Sequence, residues 1–170
     1  TIKELTESDF WNDKLSRLKS VRMEDIEFIS ELFFLVAEDR VLDSSQETLD
    51  LLYEKYRNDA TGISKAQKKF VSIVTTINKL NINFDTNKRL CWTTHLYSLF
   101  SLAWQLNKQE NLDPNIGAKI NDFYTAYFSK TTDYADSLKA YKEASSSRTR
   151  SESQRKNRLS ALAEYCGIQI

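Results

Sequence analysis

The stretch "RLCWTTHLYSLFSLAWQL", Arg89 to Leu106, is apolar on nearly every side of a helical wheel. A helix of that kind must be surrounded by others, so this segment predicts the central member of a helical bundle. The flanking sequence supports the same class. Stripes with a period near 3.6 recur along the chain and no run alternates with period 2. Gly (3) and Pro (1) are scarce, which leaves long segments without breakers.

Reading outward, the first helix is expected over Ser8 to Lys19, with Phe10, Trp11, Leu15 and Leu18 on one side. A second runs from about Arg22 to Glu38 and carries an apolar face wide enough for more than one neighbour. Next, "SSQETLDLLYEKY" opens on a capping box, Ser44 with Glu47, and reaches about Tyr56. Gly62 reads as a break, and a second box, Ser64 with Gln67, starts a fourth helix through Leu80. The fifth is the opening segment, taken as one helix from Lys88. Asp113 followed by Pro114 reads as the cap and first position of a sixth, to about Ser129. A seventh covers Tyr134 to Ala144, and an eighth covers Ser153 to Cys166, stopped by Gly167. The expectation is an all-α fold, a single irregular bundle of seven to eight helices, with residues 1–170 forming one domain.

Size and charge narrow the function classes. A chain of 170 residues is long enough to bury a core without staples. The formal net charge is zero, so no overall positive field draws in nucleic acid, and such binding would have to be local. The apolar runs are too short and interrupted for a membrane span of about 20 residues. Cys91 and Cys166 are the only thiols, a usage suited to a reducing cytoplasm. The chain begins at Thr1 and its one methionine is Met23; a processed terminus and a C-terminal or middle fragment of a longer protein both account for that.

Chemistry-bearing residues are sparse. Cys91 and His95 lie four apart on the expected fifth helix, but no second Cys/His pair completes a zinc site. Glu24, Asp25 and Glu27 cluster as paired acids do in acid/base or Mg²⁺ sites. They also fall in the first turn of the second helix, where they complement its dipole. Three scattered glycines build no phosphate loop. The expectation is therefore a chain without catalytic residues, cofactor or metal. The stretch "SSSRTRSESQRKNRL", Ser145 to Leu159, supplies the local basic patch: Arg148, Arg150, Arg155, Lys156 and Arg158 are the candidates for phosphate contact with DNA. The competing reading is a solvated loop running into a helix start.

A resemblance rests on "RLKSVRMEDIEFISELFFLVAEDR", "LDLLYEKYRN", "LYSLF" and "YKEASSSRTRSESQRKNRLSALAEY". Taken in order, these resemble the helical region of the GmrSD-type restriction and phage-defence proteins of bacteria. In that family the region follows a ParB/sulfiredoxin-like catalytic domain. The matched positions run from Arg22 to about Leu162. The resemblance assigns Arg22, Asp25 and Glu27 to an Arg-x-x-Asp-x-Glu signature and makes them interface candidates. The family's Asp-Gly-Gln-Gln-Arg motif is absent, and one histidine cannot supply an HNH nuclease site. What the resemblance implies is a non-catalytic scaffold that packs against the catalytic domain of its own parent protein, with direct nucleic-acid binding through residues 145–158 as the alternative. Arg22 precedes an acid-rich helix start, where a cation is poorly placed for the dipole, so it is expected to brace that helix against a carboxylate or the catalytic domain.

Overall fold

The computed structural model describes residues 2–16, 18, 23–129 and 135–170. Nine α-helices occur among them, with no strand: α1 (Ile2–Thr6), α2 (Asp9–Lys14), α3 (Glu24–Glu38), α4 (Gln46–Tyr56), α5 (Ala60–Lys79), α6 (Thr93–Leu106), α7 (Ile116–Phe128), α8 (Asp136–Ala144) and α9 (Glu152–Cys166). The all-α bundle expected from the periodicity is what forms. None of the described helices is long and apolar enough to cross a membrane.

α6 occupies the middle, against α3, α5 and α9. Every residue from His95 to Trp104 is buried. Ser98 and Ser101 are tolerated there because each hydroxyl donates to the carbonyl four residues back, Thr94 O at 3.0 Å and Tyr97 O at 2.8 Å. Trp11, from α2, plugs one end of the core between Phe70 of α5 and Phe100 of α6, with ring centroids 5.8 and 5.9 Å away. α8 and α9 pair closely and cover the other side of α6 together with α7.

Several helix starts differ from the expected ones. The segment from Lys88 is not one helix: Lys88–Cys91 is a 3₁₀ turn, and Trp92 is extended (ψ 138°) before α6 begins. Trp92 consequently turns outward, 46% exposed, and Cys91 and His95 do not share a helical face. α5 begins four residues earlier than its serine suggested, because the Asp59 carboxylate accepts the Gly62 amide at 2.8 Å and places that glycine inside the first turn. At α4 the cap is Ser45. Ser44 is buried instead and accepts hydrogen bonds from Arg150 and Arg155. Asp113 caps a turn, its carboxylate accepting the Asn115 amide, and α7 starts at Ile116. α9 is capped by Ser151 and stopped by Gly167 in the left-handed region (φ 69°), as its C-terminal glycine predicted. α1 was not anticipated. The expected first-helix residue Lys19 and the seventh-helix start Tyr134 lie outside the described residues.

Candidate functional site

α3 opens with Glu24, Asp25 and Glu27 in its first turn, the positions that complement its dipole. Asp25 accepts the Ile26 amide at 2.8 Å. Glu27 has a second role. One and two turns into α3, Glu27 and Glu31 meet the loop before α9, where Arg150 binds both carboxylates. Arg155, in the first turn of α9, pairs with Glu31, donates to Leu42 O at 2.8 Å and to Ser44 Oγ at 3.2 Å, and lays its guanidinium 3.9 Å from the centre of the Tyr97 ring. Arg22, the remaining member of the expected signature, lies outside the described residues.

The basic stretch does not form one outward patch. Arg155 and Arg158 are 3% and 0% exposed, and their terminal guanidinium nitrogens donate to internal acceptors. Arg158 donates from Nε to Ser98 Oγ at 3.1 Å and from its terminal nitrogens to Ala144 O at 2.6 Å and Thr149 O at 2.5 Å. Arg150 is half-buried against its two carboxylates, and Lys156 pairs with Glu152 along the surface of α9. Arg148 is exposed at a left-handed turn (φ 49°). Two arginines of this stretch turn inward rather than outward: Arg155 and Arg158 extend the stripe of Leu159, Leu162 and Cys166 by one turn. That 3–4 spacing was the signal available.

These groups enclose a cavity of about 210 Å³ between α3, the start of α6 and the loop into α9. Glu27, Glu31, Arg150, Arg155 and Arg158 line it, with Thr93 and Thr94 of α6 beside them. Among the described residues, Arg155 Nε, a buried polar atom on its lining, has no hydrogen-bond partner, and the buried Tyr97 hydroxyl lies by the Leu42 backbone. Burial pushes the Tyr97 phenol up to about 12, so it stays a neutral donor.

Behind that cavity His95 sits in an aromatic box. Its Nδ1 lies 3.0 Å from the Tyr141 hydroxyl, which is 3.2 Å from the Tyr124 hydroxyl, and the His95 ring stacks on Tyr141. Burial first, then the neighbouring Arg158 and Arg89, brings its pKa down to about 4. The imidazole is neutral at pH 7. Among the described residues no three His, Cys, Asp or Glu side chains converge on a metal position.

A second concavity is apolar. Ile2, Phe33, Phe34, Tyr53, Tyr56 and Ile63 form a groove of about 150 Å³ between α1, α3, α4 and α5, with Arg57 at its edge. Tyr53 is 44% exposed on its rim. No protein family, curated protein or solved structure matches the chain.

Proposed function

We propose that this chain is a non-catalytic helical module of a bacterial phage-defence or DNA-processing protein, and that it packs against a ParB-like nuclease or NTPase domain of the same parent. The sequence resemblance supplies the family, and the observation that carries the interaction role is the apolar groove of Phe33, Phe34, Tyr53, Tyr56 and Ile63. Phe33 and Phe34 are 2% exposed at its base, while Tyr53 stands at its rim. An aromatic-rimmed groove of this kind suits an apolar anchor from a partner. The inward turn of Arg155 and Arg158 favours this reading over phosphate contact through residues 145–158.

The test begins with the gene's full reading frame. A neighbouring domain with an Asp-Gly-Gln-Gln-Arg motif would be purified separately and titrated onto this chain. Arg57→Glu, at the exposed edge of the groove, and Tyr53→Ser, at its rim, are each expected to weaken association by about tenfold or more. Absence of such a domain, or an association indifferent to both substitutions, overturns the proposal.

A further inference from the structure

α5 is the longest of the described helices, 20 residues, and it contains no acid. From Ala60 to Phe84 the sequence has four lysines and no aspartate or glutamate, although the chain carries 24. Lys65, Lys68, Ser72, Thr75 and Lys79 recur at spacings of three and four, which sets them in one stripe, and all five are exposed. The opposite face, Phe70, Ile73 and Ile77, is buried in the core. Folding does not account for the cations. Lys65 stands one turn from both Lys68 and Lys69, and like charges at that spacing destabilise a helix. Lys65 and Lys68 also lie in the half of α5 nearer its positive end, where the dipole gives a cation no support. Lys79 alone, in the last turn, complements the dipole.

Among the described residues Lys69 is the one lysine of α5 in an ion pair, 3.7 Å from Asp39, and Lys108 takes the same carboxylate at 3.0 Å. Asp59 is engaged by the Gly62 amide. Both acids line a hollow beside Lys65 and Lys69; Lys68, Thr75 and Lys79 do not line it. Ser72 and Thr75 use their hydroxyl hydrogens on Asn107 Oδ1 and Val71 O, both at 3.0 Å. They serve as short, uncharged spacers, so a rod-like partner can lie close between the lysines.

We infer that the exposed face of α5 lies against the sugar–phosphate backbone of duplex DNA, with Lys65, Lys68 and Lys79 neutralising phosphates without regard to sequence. The stripe is about 20 Å long, and one duplex strand carries a charge every ~3.4 Å of rise, so several phosphates fall within its reach. The rest of the face selects this partner. No aromatic side chain is exposed on α5, whereas single strands are held on stacking platforms. A helix that lies on a membrane turns its apolar face to lipid, and that of α5 is buried. Protein interfaces are poor in lysine and centred on aromatic or arginine anchors, which this face lacks. Lysines on a backbone position a duplex and carry no sequence information. In a chain of zero net charge such attraction has to be local, as it is on this helix. The inference rests on α5 alone and not on the apolar groove or its partner.

Fluorescence anisotropy tests it, with the full chain titrated onto two labelled duplexes of unrelated sequence and about 20 base pairs, in about 50 and 150 mM sodium chloride. The expected result is a similar, roughly micromolar affinity for both duplexes at the lower salt, falling at the higher. Combining Lys68→Gln with Lys79→Gln is expected to weaken binding about tenfold and to reduce the slope of log affinity against log salt by about 2. Thr75→Glu is a second variant: it sets a carboxylate in the stripe, gains a helix-supporting pair with Lys79 and lowers affinity severalfold. Arg148→Gln, exposed outside α5, leaves affinity unchanged. The inference is overturned by absence of saturable duplex binding at low salt, or by binding that neither α5 variant weakens. Tighter binding of a single strand of equal length, of phosphatidylserine vesicles or of polyglutamate also overturns it.

Discussion

Arg155 and Glu31 form an ion pair almost sealed from solvent, 3% and 5% exposed, that fastens the first turn of α9 to the middle of α3. The two partners are not equivalent. Glu31 is also held by Arg150, whereas among the described residues Arg155 has its one ion pair with Glu31 and only the longer-range field of Asp43 besides. Glu31→Leu therefore strands a buried guanidinium and is expected to cost about 3–5 kcal/mol in urea unfolding. Arg155→Met leaves Glu31 with Arg150 and costs less. The double variant is expected to be more stable than the sum of the singles predicts, since burying neither charge is cheaper than burying one. Equal losses from the two single variants would show that the asymmetry of the network has no energetic consequence.

His95 gives the protein an acid sensitivity that precedes carboxylate protonation. In the unfolded chain its imidazole takes a proton near 6.5, but in the folded protein burial, Arg158 and Arg89 hold protonation off until about pH 4. Between those values the unfolded state binds more protons, so stability falls as pH drops from about 6.5 to about 4 and this group removes no more below that. A gap of this size corresponds to about 3 kcal/mol. For Glu38 and Asp39, burial pushes upward, but Lys55 on the first and Lys108 on the second more than offset it. Both are held below their ordinary values, so their stabilisation is lost only at lower pH. His95→Gln is expected to flatten the stability profile between about pH 6.5 and 4, measured by urea midpoints across the range. An unchanged slope there would remove His95 as its source.

The bundle was legible because apolar spacing reports which face of a helix is covered. Helix starts were less so, because several side chains compete for the same cap. Ser44 and Ser45 are both good caps, and only the arrival of Arg150 and Arg155 from more than a hundred residues away selects Ser45. The break at Trp92 was hidden because Leu90 is buried on the 3₁₀ turn just as it would be on a continuous helix. In the basic stretch, charge was visible and direction was not: an arginine on an apolar stripe reads as solvated until the opposing Glu31 is placed. For Arg158 the spacing marks the covered face but not the partners, since its acceptors are chiefly backbone carbonyls, which no sequence pattern singles out.

Trp11 is the anchor through which the short α2 joins the core. Its ring is fully buried, edge-on to Phe10 at 4.8 Å and tilted against Phe70 and Phe100. A six-residue helix has little stability of its own, so its docking depends on this side chain. Trp11→Ala is expected to cost about 3–5 kcal/mol. The buried indole Nε1 has no hydrogen-bond partner among the described residues, so Trp11→Phe forfeits packing but also relieves an unsatisfied donor. Its loss should be clearly smaller than that of the alanine variant. Thermal unfolding of the two variants side by side distinguishes them, and an alanine variant as stable as wild type would detach α2 from the core.

Two glycines with nearly the same steric clearance are expected to respond differently to alanine. A Cβ at Gly117, in the first turn of α7, would stand 2.0 Å from the carbonyl oxygen of Leu80 at the end of α5. Backbone cannot swing aside, so Gly117→Ala must push the two helix ends apart, at about 1–3 kcal/mol or more. A Cβ at Gly62 would meet Asp59 Oδ2 at 2.1 Å, the tip of a side chain. That carboxylate can rotate away, surrendering a cap worth about 1 kcal/mol. Replacing glycine within a helix returns a comparable amount, roughly 0.5–1 kcal/mol, so Gly62→Ala is expected to lie near neutral. Urea unfolding of both variants should rank Gly117→Ala as the more damaging by at least about 1 kcal/mol. The reverse order would mean that the α5–α7 contact yields more readily than the Asp59 cap.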